Sequence, residues 1–145
     1  AAGDVQVMSA GTGVRHAEYN LEDEATTLFQ IWVLTDRPNA EPGWGAKPFP
    51  KEARDGRFQL LASGAPEDGA LTIYADAKVL GATLKGGGSL SYEPDPTRHL
   101  YLVPSGRVRV NGAEAGPRDG IAITGEERIT IEAEEDAELV LVDVR

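Results

Sequence analysis

The sequence contains no cysteine, only two histidines, and few aromatic residues, which make up 6% of its 145 residues. The absence of cysteine excludes disulfide bonds, thiolate metal ligands and a cysteine nucleophile. Two histidines, His16 and His99, give no pattern from which a Ser-His-Asp triad can be argued. A chain without cysteine is compatible with a reducing compartment, and we expect a cytoplasmic protein.

Positive charge and long apolar runs are also scarce. The chain has 14 Lys and Arg against 24 Asp and Glu, and its formal net charge is -10. No stretch gathers the basic residues that neutralise a row of phosphates, which argues against direct binding of nucleic acid or of an anionic membrane. No apolar run approaches the roughly 18 residues of a membrane helix, and the first residues lack the features of a signal peptide. We therefore expect a soluble protein.

Glycine, proline and short apolar runs are abundant. The chain has 17 Gly and 9 Pro between runs rich in Val, Ile, Leu and Thr, a composition typical of short strands joined by tight turns. Asn111-Gly112 predicts a hairpin with one exposed face, and the run near the C terminus predicts a central strand. The spacing fits an all-β sandwich or small barrel. Strands are predicted at Phe58–Ala62, Leu71–Ala75, Ala77–Leu84, Gly88–Tyr92, His99–Val103, Arg107–Val110, Gly120–Thr124, Arg128–Glu132 and Ala137–Val144.

The N-terminal part carries the residues best suited to bind a metal. Val5 and Val7 predict a strand that runs into a glycine-containing bend. His16 and Glu18 follow, and residues two apart on a strand project from the same face, so these side chains could hold one ion together. Imidazole nitrogen and carboxylate oxygen are suitable ligands for Fe(II), Mn(II) or Zn(II). A solvated His and Glu without an ion is the alternative interpretation.

Two segments follow the candidate ligands. Residues 27–34 (TLFQIWVL) are apolar at nearly every position, which predicts a strand buried on both faces. Phe29 and Trp32 in this strand are interpreted as core residues, because aromatic residues in a continuous apolar strand are mostly core. Residues 36–55 alternate Pro, Gly and charges, which predicts an ordered but irregular connector at a domain boundary.

Residues 7–20 (VMSAGTGVRHAEYN) resemble the signature of the pirin family, M-x-A-G-x-G-[IV]-x-H-[SA]-E. In that family the signature is followed by a buried Gln-Ile/Leu-Trp strand, which corresponds here to residues 29–32 (FQIW). Residues 108–112 and 119–123 resemble the C-terminal hairpin of bacterial pirin-like proteins. The resemblance covers essentially the whole chain.

The connector resembles the same family less closely. Pro42, Lys47 and Phe49 fall where bacterial pirin-like proteins have a P-R-Y-E-Q-K-x-F stretch. Trp44 stands where Tyr is usual, and Ala46 where Gln is usual. The surface that this connector lends to a binding cavity is therefore expected to differ.

The resemblance implies a bicupin, with two double-stranded β-helix domains of the jelly-roll-like β-barrel type. In the family, the N-terminal cupin holds an iron-type metal through three His and one Glu. His16 and Glu18 correspond to the third His and the Glu, and Glu18 would also serve as the catalytic proton acceptor. The first two His, expected in a P-H-x-H stretch, have no counterpart in this sequence. The implied cofactor is Fe(II) or another divalent transition metal in the complete protein, and two ligands alone are expected to hold it weakly or not at all.

The expected organisation follows from the same resemblance. Residues 1–37 would be the terminal strands of the N-terminal cupin, 38–56 the connector, and 57–145 the C-terminal cupin, which usually lacks a metal. The sequence starts without Met and enters a strand pattern almost at once, so we expect an upstream portion. Unpaired edges and apolar faces in the N-terminal strands predict a homodimer formed through them.

Two functions are compatible with this resemblance. The first is a metal-dependent dioxygenase of the quercetin 2,3-dioxygenase type, which acts on a flavonol-like small molecule and is inactive or impaired in this truncated form. The second is a non-catalytic regulatory or protein-binding cupin domain. The sequence leaves open the metal, the substrate and the origin of the truncation.

Other chemically suggestive groups are interpreted as structural. His99 is expected to be structural or exposed, and Arg15 to lie on the surface. The acidic run 132–136 is interpreted as a solvated turn rather than a calcium site. The glycines at 86–88 lack the lysine and helix of a phosphate-binding loop and predict a hairpin.

Overall fold

The computed structural model describes residues 2–65 and 69–145, and its regular secondary structure consists almost entirely of β-strands. Within these ranges, a single 3-10 turn at Lys51–Arg54 follows Pro50, and no helix has the length and apolarity needed to cross a bilayer. The strands are, in chain order, β1 (Val5–Ser9), β2 (Gly43–Lys47), β3 (Gln59–Ser63), β4 (Leu71–Thr72), β5 (Ala77–Leu84), β6 (Ser89–Tyr92), β7 (His99–Pro104), β8 (Val108–Val110), β9 (Ala113–Ala115), β10 (Ile121–Thr124), β11 (Ile129–Ala133) and β12 (Ala137–Val144).

Two sheets packed against each other make up the larger part of the molecule. One has six strands in the order β10-β7-β12-β5-β3-β4, and the other has four in the order β6-β11-β8-β9. Pairing between named strands in these sheets is antiparallel except for the short β3-β4 pair. This all-β sandwich of the cupin type confirms the predicted fold class.

The core between the sheets is built from alternate residues of each strand, those whose side chains point inward. On β12, Leu139 and Leu141 are 1% and 0% exposed, and on β11 Ile129 and Ile131 are both 0% exposed. Successive strand residues point to opposite faces, so the side chains between these are less buried. The remaining buried members of the cluster are Leu80, Ala82, Leu84, Leu90, Leu100, Leu102, Val108, Val110, Ala115, Ala133 and Ala137.

Strand β12 lies in the centre of the six-stranded sheet. It pairs with β5 along its whole length on one side and with β7 on the other. The sequence predicted the bounds of β5 and β12 and the central position of β12, and all three predictions are confirmed. A strand that is apolar on both faces needs neighbours and covering layers on every side, and the middle of a sheet provides them.

The β8-β9 hairpin has the predicted turn. Asn111 and Gly112 have φ angles of 48° and 83°, and positive φ at both central residues is typical of a type I′ turn. Val108 and Val110 are buried while Arg109 is exposed, so the predicted exposed face is confirmed. Strand β9 itself was not predicted, because its Ala-Glu-Ala sequence has little β-propensity.

Strands β1 and β2 form a separate two-stranded ribbon. Their antiparallel register runs from Val5 opposite Lys47 to Ser9 opposite Gly43. β1 was predicted, but β2 lies in the stretch that was interpreted as irregular, and that interpretation was wrong for these five residues. Two glycines in Gly-Trp-Gly-Ala-Lys weaken the strand signal. Backbone pairing with β1 makes this segment a strand, although its own sequence has a weak strand signal.

Residues 10–42 form a long loop that connects the two strands of this ribbon and contains no strand. The predicted strand at 27–34 is therefore wrong in this structure. Phe29 and Trp32, which were predicted to be core residues, are 54% and 87% exposed. A strand needs a neighbouring strand for its backbone hydrogen bonds and a layer to cover its apolar side chains, and no described segment provides either here.

Candidate functional site

The two candidate metal ligands lie just after the bend that ends β1. Gly11 and Gly13 have φ angles of 57° and 142°, and the Gly13 N–H donates to the carbonyl of Ala10 at 2.8 Å. A Cβ atom on Gly11 would lie 2.7 Å from the carbonyl oxygen of Ala40 and 2.9 Å from Cγ of Pro42. Only glycine fits this position, because it combines a left-handed conformation with close backbone contact. The bend therefore packs the beginning of the 10–42 loop against the end of the same loop, at Ala40 and Pro42.

Glu18 is held over the β1-β2 ribbon by a hydrogen bond from β1. The side-chain amide of Gln6 donates to Oε1 of Glu18 at 2.6 Å. An ionised carboxylate can only accept hydrogen bonds, and this bond leaves Oε2 available to a metal or a proton. The bond connects residues 12 positions apart and fixes where the carboxylate lies relative to the ribbon.

His16 lies close to a second carboxamide. Its Nε2 atom is 3.4 Å from the side-chain nitrogen of Gln30. An amide nitrogen can only donate, so in this arrangement Nε2 is the accepting nitrogen of the ring. The lone pair that would bind a metal is thus directed toward residue 30. Residues 14–20 do not form a strand, so the expected placement of His16 and Glu18 on one strand is not observed.

The donor chemistry of these two residues fits a divalent transition metal, but the pair does not complete a site. Imidazole nitrogen and carboxylate oxygen suit Fe(II), Mn(II), Ni(II) or Zn(II). Among the described residues, no group of three or more His, Asp or Glu side chains comes together in a way that could hold an ion. His99 is an exposed residue at the start of β7, in agreement with its predicted role. Further ligands would have to come from outside the described residues.

The visible concavities do not coincide with these ligands. One pocket of about 220 Å³ is lined by Asp36, Ser63, Asp76 and Lys78 among others. A second, of about 230 Å³, lies between the ribbon and β4. Neither is lined by His16 or Glu18. A site that lacks some of its ligands is not expected to form a closed cavity.

A buried ionic cluster lies at one end of the sandwich core. Asp143 on β12 is 2% exposed, and its carboxylate accepts hydrogen bonds from Nε of Arg98 and, at 2.6 Å, from the hydroxyl of Tyr92. Arg98 also donates to Oδ1 of Asp76 at 2.8 Å. The hydrogen bond from Arg98 is the main reason that the pKa of Asp76 lies below its usual value. Its two carboxylates are bridged by the Arg98 guanidinium, and no group of three His, Asp or Glu side chains that could hold a metal is found among the described residues.

Sequence reasoning did not find this cluster. Asp143 follows Leu139 and Leu141 at intervals of two, so the alternation already placed it on the buried face. A carboxylate at such a position needs a charged or hydrogen-bonding partner. That requirement was the available signal, although nothing in the local sequence identifies Arg98 as the partner.

The acidic turn after β11 is a network of ion pairs. Glu134 and Glu135 pair with Arg107 and Arg109, at 3.0 Å for the Arg109 pair with Glu134. Asp136 pairs with Lys85 at 2.7 Å, and the hydrogen bond from Lys85 lowers the pKa of Asp136. The predicted solvated turn agrees with this arrangement, and the carboxylates are directed at cations of the protein.

Comparison with protein families matches both parts of the chain. The profile of the family described as "Pirin" matches residues 1–33. The profile described as "Quercetinase C-terminal cupin domain" matches residues 60–144, which is more than half of the chain. A pirin-like protein of Caulobacter vibrioides is 58% identical over 144 residues, covering 98% of this chain and 62% of that protein.

A curated relative and a solved structure, both from Escherichia coli, extend the comparison. A quercetin 2,3-dioxygenase of strain K12 is 37% identical over 145 residues, covering 99% of this chain and 62% of that protein. The crystal structure of the bacterial pirin YhhW in complex with nickel(II) has a TM-score of 0.86 at 32% identity, with 99% of this chain and 62% of that chain covered.

The match has a definite extent. This chain spans about 62% of the length of the curated relatives named above. Within that extent, the signature around His16 and Glu18, the ribbon and the two-sheet sandwich are all included in the aligned region. The chain belongs to the pirin family of cupin proteins.

Proposed function

We propose that the chain is part of a metal-dependent dioxygenase that acts on a flavonol-like substrate, with His16 and Glu18 as two of the metal ligands. The observation that carries this proposal is that an imidazole and a carboxylate two residues apart, near the start of one loop, are each contacted by a carboxamide. The quercetin 2,3-dioxygenase name and the nickel complex of the Escherichia coli relatives support it. The metal would be Fe(II) or another divalent transition metal.

The same proposal includes a division of the chain. Residues 1–37 belong to an N-terminal cupin, 38–56 to a connector and 57–145 to a C-terminal cupin. The remaining ligands are contributed by residues outside this sequence, since its only other histidine is His99. In this truncated form the activity is absent or impaired, and the protein acts in the cytoplasm.

Each residue has a stated role in this proposal. A divalent metal held by these residues would supply Lewis acidity and a template for orienting the substrate. His16 presents the Nε2 lone pair to the ion. Glu18 presents Oε2 to the ion or accepts the proton of a substrate hydroxyl there, while the bond from Gln6 keeps Oε1 in place. Gln30 must move away from Nε2 when His16 binds an ion.

Nickel(II) binding tests the ligand assignment. Isothermal titration with Ni(II) is carried out on the full product of the gene and compared among wild type, His16→Ala, Glu18→Gln and, as a control, His99→Ala. We expect each ligand variant to weaken Ni(II) binding by at least roughly tenfold, because replacing a residue that only hydrogen-bonds to a metal ligand already has an effect of that size. The control should bind as wild type does. Unchanged affinity in both ligand variants would contradict the assignment.

Turnover tests the activity separately. The protein is incubated with Fe(II) and quercetin under oxygen, and the loss of flavonol absorbance is followed. The measurement is made on this chain and on the full product of its gene. Absence of any loss in both proteins would remove the dioxygenase function.

A non-catalytic role as a regulatory or protein-binding cupin is the second candidate. It is favoured by the number of exposed apolar residues in the loop, where Leu21, Trp32 and Leu34 are 91%, 87% and 95% exposed. Exposed apolar surface of this kind marks an interaction site. This role predicts a stable fold without metal and saturable binding of a protein partner. If the protein turns over quercetin and captures no partner in a pull-down, this role is excluded.

Further exposed apolar residues of the same loop support a homodimer formed through the N-terminal region. Val14, Phe29 and Ile31 are 51%, 54% and 41% exposed and would be covered by a second copy. Light scattering at micromolar concentration tests this. A dimer mass is expected, and a compact monomer would contradict it.

A further inference from the structure

The two faces of the β1-β2 ribbon have different neighbours. Residues directly opposite in an antiparallel pair share a face, so Gln6, Met8, Trp44 and Ala46 lie together on what we call the Trp44 face. The other face is turned toward β4: a Cβ atom on Gly45 would lie 3.5 Å from Cδ2 of Leu71. The Trp44 face therefore points away from β4.

Glu18 lies over the Trp44 face. It is held there by Gln6, whose side chain belongs to that face. Gln6 and Met8 are two residues apart, which separates them by about 7 Å along the strand, and Trp44 is directly opposite Met8 at about 5 Å. A candidate catalytic carboxylate and an indole ring thus share one face at a separation on the order of 10 Å.

The two large side chains of the Trp44 face are partly or largely exposed. Trp44 is 68% exposed and Met8 is 38% exposed. An indole beside a thioether offers a flat, polarisable surface to an aromatic ring.

We propose that Met8 and Trp44 form a binding wall on which the ring system of a flavonol-like polyphenol stacks, while one of its hydroxyl groups donates a hydrogen bond to Glu18. This inference rests on the proposed function and assigns it a specificity-determining residue, Trp44. Glu18 and the wall are together complementary to such a ligand. The carboxylate only accepts hydrogen bonds, a phenolic hydroxyl donates them, and the flat apolar rings match the indole face.

Trp44 is the main stacking residue of the wall. Its indole is the larger flat surface of the wall, beside the thioether of Met8 directly opposite. Removing the ring should weaken polyphenol binding by about tenfold, because aromatic stacking contributes up to that much in affinity. Replacing it with another aromatic residue should cost about threefold or less.

Equilibrium binding of quercetin without added metal and under nitrogen tests the wall independently of turnover. Isothermal titration compares wild type with Trp44→Ala, Trp44→Phe and the control Tyr101→Ala, an aromatic residue that is 51% exposed on the C-terminal sheet. We expect about tenfold weaker binding for Trp44→Ala, near wild-type binding for Trp44→Phe, and no change for Tyr101→Ala. Circular dichroism confirms that each variant is folded.

A fluorescence measurement provides a second readout. Trp32 and Trp44 are the two tryptophans of the chain, so in a Trp32→Phe protein the emission comes from Trp44 alone. Quercetin should quench this emission along a saturable curve with the same Kd as the titration. Equal quercetin affinity in wild type and Trp44→Ala, or no saturable quenching of Trp44, would overturn the wall.

The two proposals can fail separately. If Trp44→Ala binds quercetin as wild type does while His16→Ala and Glu18→Gln lose Ni(II) binding, the wall is wrong and the metal site stands. If quercetin binding depends on Trp44 but flavonol absorbance never declines, the wall is a binding site without the proposed oxygenation.

Discussion

Leu141 and Leu34 are the same residue type in one chain, yet one is 0% exposed and the other is 95% exposed. Leu141 lies in β12, with a paired strand on each side and the second sheet packed against it. Leu34 lies in the 10–42 loop, where no described strand pairs with the backbone. Both segments are equally apolar in sequence. The comparison shows that an apolar run becomes a buried strand only where other parts of the same chain supply its neighbours.

The largest expected effect on stability distinguishes these two leucines directly. Leu141→Ala leaves a cavity in the core and should lower the free energy of unfolding by roughly 3–4 kcal/mol. Leu34→Ala is the matched control and should change it by less than about 0.5 kcal/mol. Urea unfolding of both variants measures the difference. A comparable loss for Leu34→Ala would mean that the loop is covered in solution, for example by a second copy.

A somewhat smaller effect is expected in the buried ionic cluster. Asp143→Ala leaves the guanidinium of Arg98 with Asp76 as its remaining carboxylate partner, and the Arg98 side chain is only 14% exposed. Removing one partner of a buried pair costs about 3 kcal/mol, and Asp76 should reduce that cost. Urea unfolding gives the value. Asp36→Asn is the control, because the Asp36 pair with Arg37 is exposed, and it should leave stability nearly unchanged.

The smallest expected effect is a pH dependence of the stability of the two-sheet sandwich. The hydrogen bond from Arg98 sets the pKa of Asp76 below its usual value of 3.8. A carboxyl group with a lowered pKa in the folded state contributes stability that is present above the unfolded pKa and is lost as the pH falls through the folded pKa. Stability should therefore decline below about pH 4. The decline should be shallower for Asp76→Asn, as measured by urea unfolding across this range, and an identical decline would contradict the role of Asp76.

The sandwich could be predicted from sequence because its signals are local. Ala77–Leu84 and Ala137–Val144 are apolar on both faces, and Asn111-Gly112 has the chemistry of its turn. The β1-β2 ribbon was predicted only in part, because β2 becomes a strand through a partner more than thirty residues earlier in the chain. Residues 27–34 have the pattern of a buried strand, and pattern alone cannot tell whether the covering layer is present.

The candidate site was predictable in its residue types but not in its contacts. His16 and Glu18 were identified from their spacing and from the family signature. Gln6 and Gln30, which contact them, have no feature in the sequence that indicates this role. Both carboxamides meet their partners across 12 and 14 residues of irregular chain, and such distances are set by the path of a loop rather than by periodicity.

The ladder that joins Ser9 to Gly43 closes the 10–42 loop at its base. A segment attached at both ends cannot pass to a neighbouring molecule as a free arm can, since exchange would require two crossing connections between the subunits instead of one. Association through this loop should therefore join two intact ribbons by lateral contact. Subunits assembled in that way separate on dilution without unfolding, whereas interlocked subunits would have to open their ribbons first.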